Sequence, residues 1–332
     1  MRVSVVLITY NHARFIRQAL DSVLDQKTDF DYEVIVSEDC STDDTRPILF
    51  EYQQRFPDKI RLLLSQKNQN DNEVLTRAID AARGDYIALL DGDDYWTSSQ
   101  KLQKQVDFLE ANRHCAICFH NVQVIYETES KSPHPFHLEN SAEKISAGIP
   151  KTVSTLADLV RTNFMATCSV MFRARLFDDF PSWFREFPFG DWPLHILNAE
   201  HGDIGYIDEI MGVYRIHSGG VWAATMSRYR EYDDLKTVID ALHTFNRHLD
   251  YRFDRLIRGE LTTLYYRAAN LLSNAGRFSE ARSHLWRGIA LAAPFFRTNE
   301  ALAMWGVIAS YIKQPLRRVT QRMSETTVNT RE

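Results

Sequence analysis

The chain has 332 residues, room for one large domain or two smaller ones. Its formal charge is −5, with 44% hydrophobic and 25% charged residues. This is the profile of a globular protein, and it argues against a nucleic-acid partner, which favours a basic face. Four cysteines without dense spacing exclude a disulfide scaffold and fit a reducing compartment, read here as the cytoplasm.

Val3–Ile8 is a continuous β-branched run, the mark of a strand buried on both faces rather than a signal segment. Ala13–Leu24 has helical spacing in Phe15, Ile16, Ala19, Leu20 and Val23. Glu33–Ser37 is a second strand, and Ser41-Thr42-Asp43-Asp44 offers caps for a helix through Arg55. Ile60–Leu64 is a third strand, Asn72–Ala82 a helix stopping at Gly84, and Tyr86–Leu90 a fourth strand. This alternation predicts a mostly parallel sheet with helices on both faces.

Ala116–Tyr126 reads as a strand and Ser130–Pro150 as a loop or flap. Cys168–Phe172, Ile204–Ile207 and Met211–Ile216 are short strand candidates. From Arg228 onward only helical patterns appear, so a boundary is placed near 228: residues 1–228 as the catalytic unit, 229–332 as a helical accessory region. Leu264–Ala293 reads as a helical hairpin turning at Gly276 and resembles a single tetratricopeptide-like unit. No run is long enough to span a bilayer; the nearest, Ala301–Ile312, is too short.

In open α/β sheets, ligands bind beyond the carboxyl ends of the strands. Thr9-Tyr10-Asn11 follows the first strand, Glu38-Asp39 the second, and Asp91-Gly92-Asp93-Asp94 the fourth. Asp91 and Asp93 flank one glycine, so both carboxylates can face a shared hard cation, magnesium or manganese, with diphosphate oxygens completing its shell. The plain alternative is an acidic turn. Cys115-Ala116-Ile117-Cys118, with His114 and His120, superficially suggests zinc. The stretch reads as a strand with no second ligand pair, so buried cysteines are expected.

Three motifs, in this order and spacing, resemble the inverting glycosyltransferases of family 2, which have the GT-A fold. They are Val5-Val6-Leu7-Ile8-Thr9-Tyr10-Asn11, Val34-Ile35-Val36-Ser37-Glu38-Asp39-Cys40-Ser41-Thr42-Asp43, and Ala82-Arg83-Gly84-Asp85 through Asp94. The likeness covers about residues 2 to 225. One departure stands out: the family's Asp-Asp-Gly-Ser is here Glu38-Asp39-Cys40-Ser41.

The resemblance implies a donor that is a nucleotide diphosphate sugar, a UDP-sugar for preference, and a divalent metal, Mn2+ or Mg2+. Thr9, Tyr10 and Asn11 would line the nucleotide, with Tyr10 able to stack on the base or merely ending a strand. Asp39 would accept from the uracil N–H, Asp91 would hold the ribose or a metal-bound water, and Asp93 would bind the metal. Asp191, in Phe189-Gly190-Asp191-Trp192-Pro193, would be the catalytic base, and the same residue also suits a helix N-cap. Tyr214-Arg215-Ile216-His217 matches a segment of similar enzymes, where His217 would reach the metal and Arg215 the leaving group; a loop closing the fold is the competing reading.

The acceptor would be a glycan or lipid-linked glycan, with contacts from 130–165 and the C-terminal helices. Ala301–Ile312 is followed by Lys313, Arg317, Arg318 and Arg322. It either rests peripherally on the anionic inner face of the cell membrane or packs as a core helix with a solvated basic end. Other nucleotide enzymes fit less well: neither a Gly-x-Gly-x-x-Gly nor a P-loop is present. A sugar nucleotidyltransferase and a catalytically silent GT-A binding protein stay as the alternatives.

Overall fold

The computed structural model describes residues 1–69, 71–127, 132–135, 153–220 and 231–292. Most of the expected flap at 130–150, and Ala301–Ile312 with its basic tail, lie outside the described residues.

The first half follows the predicted alternation. Strands β1 (Val3–Thr9), β2 (Tyr32–Glu38), β3 (Ile60–Leu64) and β4 (Tyr86–Asp91) alternate with helices α1 (Ile16–Leu24), α2 (Thr45–Arg55) and α3 (Glu73–Asp80). Beyond them come β5 (Tyr95–Trp96), α4 (Lys101–Ala111), β6 (Cys115–Tyr126), β7 (His134–Pro135), β8 (Val153–Ser154), α5 (Leu156–Leu159), β9 (Met171–Arg173), α6 (Asp191–Ala199) and β10 (Asp203–Ile216). All form one sheet in the order β3-β2-β1-β4-β9-β6-β10-β5, with β7 on β6 and β8 on β10. The long ladders, β1 with β2 and β4, β2 with β3, and β6 with β10, are parallel. The antiparallel ladders pair only two or three residues each. Val3, Val5, Leu7, Val34, Val36, Ala88 and Leu90 are buried in the core with Ile16, Leu20 and Val23 of α1. Apolar runs covered on both faces are what a parallel sheet demands.

Three expectations are corrected. Ile204–Ile207 and Met211–Ile216 are one strand, β10, whose register slips between Ile207 and Ile210 and again before Gly212, exposing Asp208, Glu209 and Ile210 at the bulge. Cys168 and Ser169 belong to a 3-10 turn (Thr167–Ser169), and only Met171–Arg173 pairs as a strand. Asp191 is not the N-cap of α6: Gly190 holds that position and Asp191 is the first helical residue. The cysteines behave as expected, with Cys115 and Cys118 buried and free.

The chain divides into two compact units, Met1–Ile257 and Arg258–Glu332. Helix α7 (Glu231–His248) therefore lies in the first unit, beyond the expected boundary at 228. Its Phe245 ring sits 5.9 Å from Trp183, 6.2 Å from Phe187 and 5.2 Å from Trp192, an aromatic cluster that joins it to the start of α6. Helices α8 (Asp254–Asn274) and α9 (Phe278–Ala292) form the expected hairpin, with Gly276 at φ +76° in the turn. In the second unit Leu261, Tyr265, Ala268 and Leu272 are buried together with Ala281 and Leu285.

Candidate active site

The sheet's topology puts the ends of β1, β2 and β4 side by side. Thr9 pairs in register with Glu38, and Ile8 with Asp91. The chain turns are stitched there: Gly92 N–H donates to the Ile8 carbonyl at 2.8 Å, and Asp39 N–H to the Thr9 carbonyl at 3.0 Å. At this rim lies a cavity of about 300 Å³. Thr9, Tyr10, Asp91, Asp93, Asp191, Arg215 and His217, seven of the residues singled out from sequence, line it.

Asn11 and Asp39 lie outside its lining. Asn11 takes a left-handed backbone, φ 55°, and its side-chain carbonyl accepts from Thr42 N–H at 2.8 Å. Asp39 is buried, and its Oδ1 accepts from Ser65 Oγ at 3.1 Å and Gln69 N–H at 3.0 Å. The lengthened acid, Glu38, is fully buried and ion-pairs with Arg46. Cys40, where the family carries glycine, has φ 62°, the left-handed region that a glycine would occupy without strain.

Sequence reasoning missed His12. Its Nε2 is 3.7 Å from Asp93 Oδ2, and His217 Nε2 is 3.0 Å from the same oxygen. One ligand atom from each of His12, Asp93 and His217 lies within 4.8 Å of the others. Octahedral ligands at about 2.1 Å from a cation stand about 3 to 4 Å apart, and the 3.0 and 3.7 Å separations of the two imidazoles from Asp93 fall in that range, so these residues could hold a divalent metal. His12 is held from two sides: its backbone N–H donates to Thr45 Oγ1 at 2.9 Å, and its ring Nδ1 is 3.3 Å from Thr9 Oγ1. The second contact leaves Nε2 to face Asp93, the usual way a ligand imidazole is oriented. A Cβ on Gly92 would come within 2.6 Å of Thr9 Oγ1 and 2.8 Å of His12 Nδ1, so only glycine fits between the two aspartates.

Asp91 behaves differently from Asp93. Burial, reinforced by the charges of Asp93 and Asp191, pushes the Asp91 carboxyl up to about 8. Burial acts on Asp93 too, yet the His217 hydrogen bond and the His12 charge outweigh it and hold that carboxyl below its ordinary value. Asp94 turns away from the triad, and its Oδ1 accepts the Arg215 N–H at 2.8 Å. The Arg215 guanidinium bonds Glu127 at 3.1 Å and Gln18 at 2.9 Å, and stacks 4.6 Å from the Phe15 ring. It forms part of the cavity wall as a fixed cation.

Asp191 opens α6 at the edge of the same cavity. Asn163 Nδ2 donates to its Oδ2 at 2.7 Å. Burial raises its carboxyl above the ordinary value, partly offset by the backbone N–H groups of the helix start and by Asn163. Asn72 fastens the approach to α6: its amide donates to the carbonyls of Phe184, Phe187 and Phe189 at 2.8, 3.2 and 3.2 Å. Asn163 and Thr167 are further site neighbours that carry no recognisable sequence signal, and Tyr214 and Phe189 line the cavity from within the two segments already singled out.

A mostly parallel sheet whose acidic rim lines one cavity with Asp191 is the arrangement of the GT-A glycosyltransferase fold. The model of glycosyl transferase family 2 matches residues 4–180, more than half of the chain, and the chain belongs to that family. The Mycobacterium tuberculosis protein Rv1520 is 33% identical over 331 residues, 97% of this chain and 87% of its own length. TuaG of Bacillus subtilis, which bears the name of a teichuronic acid biosynthesis glycosyltransferase, is 38% identical over 117 residues, 35% of this chain and 45% of TuaG. Two solved structures share the fold. Staphylococcus aureus TarS 1–349, in complex with UDP-GlcNAc, superposes with a TM-score of 0.54 at 18% identity, covering 86% of this chain and 90% of that one. The mannosyltransferase PcManGT of Pyrobaculum calidifontis, in complex with GDP-Man and Mn2+, gives 0.55 at 17% identity, covering 96% and 83%.

Proposed function

We propose that this glycosyltransferase inverts the anomeric centre of a nucleotide diphosphate sugar, a UDP-sugar for preference, in a metal-assisted single displacement onto a glycan or lipid-linked glycan. The observation that carries the reading is the convergence of His12, Asp93 and His217 with Asp91 and Asp191 on one cavity at the strand ends. His12, Asp93 and His217 would hold the metal, Mn2+ or Mg2+, which supplies positive charge to the departing diphosphate. Asp191 takes the proton of the acceptor hydroxyl as its oxygen bonds to the anomeric carbon. The bond from that carbon to the diphosphate oxygen breaks, and its electron pair leaves with the nucleotide. Arg215 adds fixed positive charge to the wall. Tyr10, 40% exposed at the cavity mouth, offers its ring to the base, with Thr9 and Asn11 shaping the strand end beneath it. Asp39 is the candidate reader of uracil.

A lipid-linked acceptor at the inner face of the membrane is supported by the apolar, then basic, sequence from Ala301 to Arg322. The contact proposed is peripheral, since the apolar run Ala301–Ile312 is too short to span a bilayer.

The test is a thermal-shift comparison of UDP, GDP and ADP with and without Mn2+. A ligand held only by the folded state raises its melting temperature. UDP is expected to give the largest, metal-dependent shift. Equal shifts for all three, or a larger one with GDP, remove the uracil assignment, and no shift with any nucleotide removes the donor site.

A further inference from the structure

A second cavity, of about 460 Å³, lies in the first unit. That is within the size range of small-ligand sites, about 300 to 1,000 Å³. Its lining comes from two segments: Glu186, Phe187 and Pro188 ahead of α6, and one face of α7 that includes Asp240, His243 and Arg247. The α7 residues follow from helical spacing. Thr237, Asp240, Thr244 and Arg247 recur every three or four positions and so share one stripe. The opposite stripe, Leu235, Ile239, Leu242, Phe245 and Leu249, is buried. The cavity is therefore faced by the polar side of a helix whose apolar side is already used.

Pro188 lines this cavity and the donor cavity alike. Asp191 stands three residues further along, and the segment between is fixed by Asn72. The second cavity and the cavity that holds the candidate base thus meet at one residue, Pro188.

The lining chemistry is mixed in sign. Among the described residues nothing engages the carboxylates of Glu186 or Asp240. The Arg247 guanidinium, which lines the cavity, is held by a 3.0 Å bond from one of its nitrogens to Thr244 Oγ1. Carboxylates accept pairs of hydroxyl protons and a guanidinium donates to pairs of hydroxyl oxygens, so vicinal diols suit both. Pro188, exposed between the two cavities, adds apolar surface for the C–H face of a ring, while the buried Phe187 ring is already taken up by Phe189, Trp183 and Phe245. Two carboxylates against one guanidinium disfavour an acceptor dense in phosphate or carboxylate.

We propose that this cavity holds the body of a neutral, hydroxyl-rich acceptor glycan while its reacting hydroxyl reaches past Pro188 to Asp191. The proposal rests on the reading of Asp191 as the base of sugar transfer. It is tested with the full chain, UDP and Mn2+ by saturation-transfer NMR. The probes are neutral methyl glycosides and disaccharides beside their phosphate- and glucuronate-bearing counterparts. At least one neutral probe is expected to bind, and to bind at least tenfold more weakly to the Glu186→Gln/Asp240→Asn double variant and to Arg247→Met. The melting temperature and UDP-dependent thermal shift of each variant report fold and donor cavity independently. Binding by both variants equal to the unaltered chain, binding of charged probes alone, or binding of no neutral probe overturns the proposal. Loss of the UDP-dependent shift in the unaltered chain would instead strike the donor reading.

Discussion

His217 Nε2 stands 3.0 Å from Asp93 Oδ2, so the end of β10 closes onto the turn after β4. With His12 3.7 Å from the same oxygen, two imidazoles and one carboxylate surround a single point. Magnesium prefers oxygen ligands and keeps its waters, whereas imidazole suits later divalent metals. Titration calorimetry of the full chain should therefore show Mn2+ binding at least about tenfold tighter than Mg2+. His12→Ala should weaken Mn2+ on the order of 10-fold or more, and Asp93→Ala should abolish it and transfer with it. Equal affinity for both metals would count against both imidazoles as ligands, and unchanged Mn2+ affinity in His12→Ala would remove His12 from the set.

Gly92→Ala removes no ligand yet drives a Cβ to within 2.6 Å of Thr9 Oγ1. Either the Thr9–His12 contact or the turn must give. The expected outcome is a Mn2+ affinity reduced on the order of 10-fold, with melting lowered by only a few degrees. Mn2+ binding equal to that of the unaltered chain would mean that the Thr9–His12 pair positions nothing.

Asp191→Asn keeps the shape and a hydrogen bond to Asn163 while removing the proton acceptor. Turnover should fall on the order of 10²-fold or more with the UDP-dependent shift retained. The pH dependence follows in sign. Burial raises the Asp191 carboxyl, and only its ionised form is a base. Turnover should therefore climb with pH through a value above the ordinary carboxylate range. A flat acid limb would assign the proton to another group.

Lys101 is fully buried, and its Nζ lies 3.9 Å from the centre of the Trp96 ring. Burial lowers its ammonium from 10.5 to about 7. Between these values the folded chain holds fewer protons than the unfolded one, so stability rises with pH across that window; below it the cost of burying the cation is full. Lys101→Met should stabilise the fold at pH 6, on the order of 2 kcal/mol after loss of the ring contact, and the gain should shrink by pH 10. Urea denaturation at both pH values checks this, and an equal change at each would contradict it.

The first four strands were legible because each is a short, mostly apolar run followed by polar residues, and parallel pairing needs no more than that. Asp91 and Asp93 were legible because one glycine separates them at such an end. His12 was not, because one histidine after β1 gains meaning only when β10 carries His217 back to the same point. The bulge in β10 broke its alternation with Asp208, Glu209 and Ile210, so one strand read as two. The α7 boundary was hidden for a related reason. A helical stripe announces that it needs a partner, and the partner of Phe245 is the cluster Trp183, Phe187 and Trp192, far upstream in the sequence.

The most direct test is the stereochemistry of donor cleavage. The full chain is incubated with Mn2+ and the UDP-α-sugar that most raises its melting temperature, without acceptor, and proton NMR follows the first sugar released. Water then takes the place of the acceptor hydroxyl, attacking the α-linked donor from the opposite face. The account predicts that the β-anomer appears first, and that release stops in excess chelator. An α-anomer appearing first, or release undiminished by chelation, would contradict it.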